Sequence, residues 1–263
     1  MNLSRIQEEL ETRSFGKTIF FQQKIGSTNE WAKKLAKLGA SEGTVAIAKT
    51  QTSAKGRLCR KWISPAGGLW LSIILRPKLP AKEAAKLVFV SALAVVETFN
   101  ELYGLRANTK WPNDVLIEGR KVCGILCEMN ANDRATDFVI VGIGINANFD
   151  ARKKLPKDLK TDAVSLRTAL GRKIILEELL VALLAKFETL YQTFLKEGFN
   201  KILKEWKKHA GFLGCTVEVA DQAKKLRGTA QDVDSEGALV LKTKEGTARV
   251  FVGDMSMSKT ATS

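Results

Sequence analysis

The chain has 263 residues, one His, and 42 Lys+Arg against 28 Asp+Glu, a net charge of +14 at pH 7. With 45% hydrophobic and 27% charged residues it is too apolar for a disordered chain, and at this length it needs neither a disulfide nor a metal staple to hold a core. The excess is +7 over residues 1–150 and +7 over residues 151–263, which argues against a basic tail that grips nucleic acid and leaves a solvated basic surface as the plain reading.

In chain order, Ile6 and Leu10 recur at helical spacing and Phe20-Phe21 reads as strand. Ser27-Thr28-Asn29 stands before Trp31, Leu35 and Leu38, a hydroxyl cap ahead of an amphipathic helix that Gly39 and Gly43 end. Thr44–Ala48 and Leu69–Leu75 read as strands, with a polar loop over residues 49–68 between them. Pro80 opens a helix to about Leu102, and strands follow near 105–110, 114–118, 121–129 and 137–147. Glu118-Gly119-Arg120 reads as a hairpin turn, and residues 150–163 as a loop around Pro156. Helices are expected over 164–170 and 176–208. The pattern then changes to short strands at Cys215–Ala220, Leu226–Val233, Ala238–Thr243 and Ala248–Val252. This divides the chain into a catalytic unit over 1–210 and a small β unit over 211–263.

Cys59, Cys123, Cys127 and Cys215 lack the second Cys or His pair of a structural zinc site, and His209 stands far from them. The most apolar run, Leu87–Val96, is far shorter than the ~20 residues of a membrane span, and the acidic, polar start does not read as a signal peptide. A cytoplasmic protein with reduced thiols and no membrane contact is expected.

Three segments carry chemistry. The loop 49–68 holds Lys55, Arg57, Arg60 and Lys61 around Gly56, and Trp62 closes the basic cluster. Guanidinium groups bind phosphate oxygens bidentately, a glycine lets backbone approach a ligand, and an indole stacks on a base. The spacing is not that of a Walker A loop, and a merely solvated basic loop with Trp62 in the core is the competing reading. Lys110-Trp111-Pro112-Asn113-Asp114 is followed by Lys121 and Gly124-Ile125-Leu126. Asn113 and Asp114 offer oxygens to a hydrated Mg²⁺ or an amine, and Lys121 a point charge to a phosphate or carboxylate; a Pro-Asn-Asp turn explains the same residues. In Gly142-Ile143-Gly144-Ile145-Asn146 the two glycines are no Rossmann fingerprint, and Asn146 serves either an adenine edge or local backbone.

Taken together and in order, these segments resemble the biotin–protein ligases. Gly26-Ser27-Thr28-Asn29 is similar to the family's helix start, Gln51–Trp62 to its glycine- and arginine-rich biotinyl-adenylate loop, and Ser64-Pro65 with Gly67-Gly68-Leu69 to the segment after it. Lys110–Asp114 with Lys121 and Gly124-Ile125-Leu126 is the most diagnostic stretch, and Gly142–Asn146 completes the set.

The resemblance implies an α+β fold: a mixed, mainly antiparallel sheet packed with helices, like a class II synthetase, plus a small C-terminal SH3-like β-barrel. It implies an ATP-dependent ligase that forms biotinyl-5'-AMP and then transfers biotin to a lysine of a biotin carboxyl carrier protein. Biotin, ATP and Mg²⁺ would take part. Catalysis falls to Lys121, Arg57 and Asp114. The biotin pocket would comprise Ser27, Thr28, Asn29, Gln51, Gly56, Arg57, Lys121, Gly124 and Leu126. Arg57, Arg60, Trp62, Asn113, Lys121 and Asn146 would meet the nucleotide, and Asp114 the Mg²⁺. Ala54, Lys55 and Cys59 depart from the family's loop pattern at its first Gly, first Arg and later Gly. The 26 residues before Ser27 are too few for the DNA-binding helix-turn-helix that some members carry, so no DNA partner is expected; a homodimer is. The nearest alternative is a lipoate or octanoate ligase of the same fold, and the remote one a basic nucleic-acid-binding module.

Overall fold

The computed structural model describes residues 1–131, 136–156, 159, 162–220 and 225–257. Its main sheet is built from β1 (Ile19–Ile25), β2 (Val45–Gln51), β3 (Leu69–Leu75), β4 (Ala107–Lys110), β5 (Asp114–Ile117), β6 (Arg120–Ala131) and β7 (Thr136–Ile145), in the order β1-β2-β3-β7-β6-β5-β4. Only β1 and β2 run parallel; all other pairs are antiparallel. The helices are α1 (Leu3–Glu9), α2 (Thr28–Lys37), α3 (Ala81–Ala84), α4 (Leu87–Tyr103), α5 (Ala151–Lys154), α6 (Leu166–Leu170), α7 (Leu176–Glu197) and α8 (Phe199–Lys207).

Strand alternation decides what each face of the sheet meets. Val45, Ile47, Leu71, Ile73, Val139, Val141 and Ile143 belong to the main core with α4, α7 and α8. The even-numbered Ala46, Ile74, Phe138 and Ile140 pack with Ala32 and Ala36 of α2 in a separate cluster. The α2 helix starts as its sequence predicts: Ser27 Oγ accepts the Glu30 N–H at 3.4 Å. Buried Leu, Val, Phe and Ala around α4 explain why that helix sits in the centre of the core.

Several expectations shift in detail. The predicted 176–208 helix is two helices, because Gly198 takes a φ of +80° and breaks it between α7 and α8. The 80–102 helix starts with a separate turn, α3, before α4. The expected loop 150–163 contains α5, capped by Asp150, which accepts the Arg152 N–H at 3.0 Å; residues 157, 158, 160 and 161 lie outside the described residues.

After residue 211 come β8 (Thr216–Ala220), β9 (Lys225–Val233), β10 (Leu239–Thr243), β11 (Gly246–Val250) and a strand absent from the sequence reading, β12 (Asp254–Met257). They form an antiparallel sheet of order β11-β10-β9-β8-β12. Among the described residues the expected SH3-like barrel is not closed, because the edge strands β11 and β12 pair with β10 and β8 and not with each other. Residues 221–224 and 258–263 of this unit lie outside the described residues. The sheet shares the main core through Val217, Val219, Leu239, Leu241 and Met255, and Trp111 Nε1 donates to the Gly237 carbonyl at 3.1 Å.

Candidate functional site

On the α2 side of the sheet, register lays three strands side by side. Trp70 of β3 pairs with Gly144 of β7, which pairs with Gly124 of β6; one step along, Ser72, Gly142 and Leu126 line up in the same way. The three glycines keep this floor flat. A Cβ on Gly124 would lie 2.9 Å from the Trp62 ring, one on Gly144 2.8 Å from Trp62 Nε1, and one on Gly142 would overlap Asn29 Oδ1. The pair of glycines that is a weak sequence signal therefore has a steric reason.

Above the floor is a cavity of about 510 Å³. All fourteen residues expected at the site line it: Ser27, Thr28, Asn29, Gln51, Gly56, Arg57, Arg60, Trp62, Asn113, Asp114, Lys121, Gly124, Leu126 and Asn146.

One end is a buried polar network. Gln51 Oε1 accepts from the Thr28 N–H at 2.7 Å and from Thr28 Oγ1 at 3.0 Å, while its Nε2 donates to Ser64 Oγ at 2.9 Å. Ser72 Oγ donates to Asn29 Oδ1 at 2.6 Å and lies 2.8 Å from Thr28 Oγ1. Asn29 Nδ2 then donates to Glu128 Oε2 at 2.7 Å. Networks satisfied in this way hold their members in one arrangement, so Thr28 and Gln51 present fixed polar atoms to the cavity.

The cations sit at the other end. Lys121 is fixed at the start of β6 by its neighbours: its N–H donates to the Asp162 carbonyl at 2.7 Å, and its carbonyl accepts from the Val164 N–H at 3.0 Å. Its Nζ lies 2.6 Å from Asp114 Oδ1 and 5.0 Å from the Trp62 ring centre. Trp62 meets Trp70 edge-on at 6.4 Å, and its buried Nε1 has no hydrogen-bond partner among the described residues. Arg57 is pulled below its ordinary pKa by burial, against the pull of Asp254 and Asp114.

Some predicted residues are already engaged. Asn113 Nδ2 donates to the Ile125 carbonyl at 2.6 Å, and Asn146 Nδ2 to the Lys121 and Val164 carbonyls at 3.3 and 3.2 Å. Of the two uses left open for Asn146, the structure shows the local one. Gly56 has an ordinary extended backbone, and a Cβ there would meet only Arg60 O at 3.6 Å. The left-handed residues of this loop are Leu58 and Cys59, at φ of +52° and +58°; Cys59 is one of the three departures in the loop. Among the described residues no cluster of three or more His, Cys, Asp or Glu could hold a metal. Burial pushes the Cys123 and Cys127 thiols up, Cys127 to about 12, so both stay protonated.

Among the lining residues that the sequence reading did not place at the site are Asp254, Met255 and Ser256, all on β12. The apolar Met255 and Met257 around Ser256 were the signal, spread over four residues only.

The sheet, its glycine floor and the paired cations define a ligand-binding α+β protein suited to an anionic small molecule. Residues 21–146 match the biotin/lipoate A/B protein ligase family, and residues 212–258 the biotin protein ligase C-terminal domain. The chain is 36% identical over 255 residues to the bifunctional ligase/repressor BirA of Bacillus subtilis, covering 97% of this chain and 78% of that protein. It is 34% identical over 234 residues to the biotin–[acetyl-CoA-carboxylase] ligase of Paracoccus denitrificans, covering 86% of this chain and 97% of that one. In structure it is similar to the biotin protein ligase of Aquifex aeolicus in complex with biotin and ATP, with a TM-score of 0.80, 29% identity, and coverage of 93% of this chain and 100% of that chain. The chain belongs to the biotin protein ligases of this family. No helix among the described residues is long and apolar enough to cross a membrane.

Proposed function

We propose that this cavity activates biotin with ATP and passes it to a lysine of a biotin carboxyl carrier protein. A carboxylate oxygen of biotin attacks the α-phosphorus of ATP; pyrophosphate leaves and biotinyl-5'-AMP remains. The ε-amine of the acceptor lysine then attacks the acyl carbon, AMP leaves, and the amine gives up a proton. The observation that carries this reading is convergence: fourteen residues from five separated segments line one cavity, polar and fixed at one end, cationic at the other.

The roles follow from chemistry. Two anions must meet in the first step, and preorganised cations offset their repulsion. Lys121, Arg57 and Arg60 supply that charge, and Asp114 holds Lys121 in place through their 2.6 Å ion pair. Ser27, Thr28, Asn29 and Gln51 would orient the polar head of biotin, with Gly124 and Leu126 beneath its apolar part. Trp62, whose indole N–H lacks a partner among the described residues, would cover the bound intermediate and keep water from the anhydride. A resident metal does not fit a carboxylate already paired to Lys121, so Mg²⁺ would enter with the ATP phosphates. In this reading residues 1–210 form the adenylating unit and residues 211–263 a small unit that contributes to its rim, and the enzyme works in the cytoplasm.

Transfer assays test the assignment. Purified protein with ATP and Mg²⁺ is expected to label a biotin carboxyl carrier domain with biotin and not a lipoyl domain with lipoate. Labelling of the lipoyl domain alone would reassign the site to the lipoate ligases.

A further inference from the structure

The strand β12 reaches the cavity from the C-terminal sheet, and its first residue faces the basic loop. Arg60 Nη2 lies 2.5 Å from Asp254 Oδ2, and Arg57 Nη1 lies 3.8 Å from Asp254 Oδ1. Arg57 Nη1 also donates to the Gly253 carbonyl at 3.1 Å. Gly253 has a φ of +148°, and a Cβ there would stand 2.6 Å from Val219 Cγ1, so glycine is what lets the chain bend back to offer that carbonyl. Two guanidinium groups on one wall repel each other, and one carboxylate set between them offsets that repulsion. Each guanidinium carries five donors in a fixed fork. The contacts with β12 use one terminal nitrogen of each, leaving other N–H groups for an anionic ligand. Arg57 is the more buried of the two, with a side chain 21% exposed against 68% for Arg60, while Arg60 makes the closer contact with Asp254.

We propose that Asp254 is a positioning residue for ATP: it clips Arg57 and Arg60 to the C-terminal sheet in the orientation that receives the phosphates, so that this sheet completes the adenylation site. The proposal rests on the adenylation reading above. A carboxylate in this place has one other use, to occupy the arginines until ATP displaces it, and the two uses predict opposite changes in ATP affinity.

Biotin-dependent ATP–pyrophosphate exchange separates them. Asp254→Asn removes the charge at nearly constant shape, and Asp254→Glu restores it. Charge-assisted pairs of this kind suggest that Asp254→Asn raises KM for ATP about tenfold. Asp254→Glu is expected to recover most of that loss. Combined with Arg60→Ala, Asp254→Asn is expected to have less than about half its single effect on a logarithmic scale, because the residue acts through the arginine. A lowered or unchanged KM for ATP, or an equal effect with and without Arg60, overturns the proposal. Absence of exchange in the parent protein would instead overturn the adenylation reading beneath it.

Discussion

A Cβ on Gly144 would stand 2.8 Å from Trp62 Nε1, so the indole can lie on this floor only while position 144 has no side chain. Overpacking a site of this kind costs roughly 1–3 kcal/mol. Gly144→Ala is therefore expected to weaken biotin binding about tenfold to a hundredfold; calorimetry would measure it, and unchanged affinity would remove Trp62 from the site. Lys121 is exposed to a sharper test. It is a point charge fixed by the backbone around it and by Asp114, and loss of one such preorganised group lowers turnover by about 10²–10³. Lys121→Ala is expected to reach that loss with circular dichroism unchanged, and near-normal turnover would contradict its role. These residues were legible because their chemistry is written in their type: Arg, Lys, Trp and Asn grouped in polar segments. The engagement of Asn113 and Asn146 with backbone was not, since an amide serves a ligand and a neighbouring carbonyl equally well.

At the scale of elements, long periodic segments were legible and short or punctuated ones were not. β3 matches its apolar run residue for residue, whereas Gly198 divides a continuous helical pattern through a backbone angle that composition does not reveal. β12 went unread because four residues carry little alternation, and with it went Asp254. The tie between the N-terminal segment and α7 was also invisible, being set by a carboxylate 173 to 175 positions away. Glu188 accepts from the N–H groups of Arg13 and Ser14 at 2.7 Å, from Ser14 Oγ at 2.9 Å and from the Phe15 N–H at 3.0 Å. Burial alone would raise its pKa, but these donors hold it below the usual range. Glu188→Gln turns an acceptor into a donor and is expected to cost about 1–3 kcal/mol. Because the folded-state pKa is lowered, the contribution is present above the unfolded glutamate value of about 4.3 and fades as pH falls through the folded value. Urea unfolding of both proteins should thus show a gap at neutral pH that narrows in acid; a gap independent of pH would mean that shape, and not charge, holds the segment.

For the whole molecule, the +14 charge first suggests a polyanion, but its even distribution and the cavity give a more local account. Arg57, Arg60 and Lys121 line one internal site, and each faces a carboxylate, Asp254 or Asp114, which prevents unopposed positive charge there. If the acceptor is a carrier domain of acidic surface, as the proposed function suggests, the remaining excess would favour its encounter. The C-terminal sheet shares the core and reaches the rim of the same cavity, so both parts of the chain line it. The most direct test of that account is ATP–pyrophosphate exchange by the purified protein with no acceptor present. Exchange that depends on biotin and is absent with lipoate is the predicted result; exchange with lipoate but not with biotin, or no exchange with either, would contradict it.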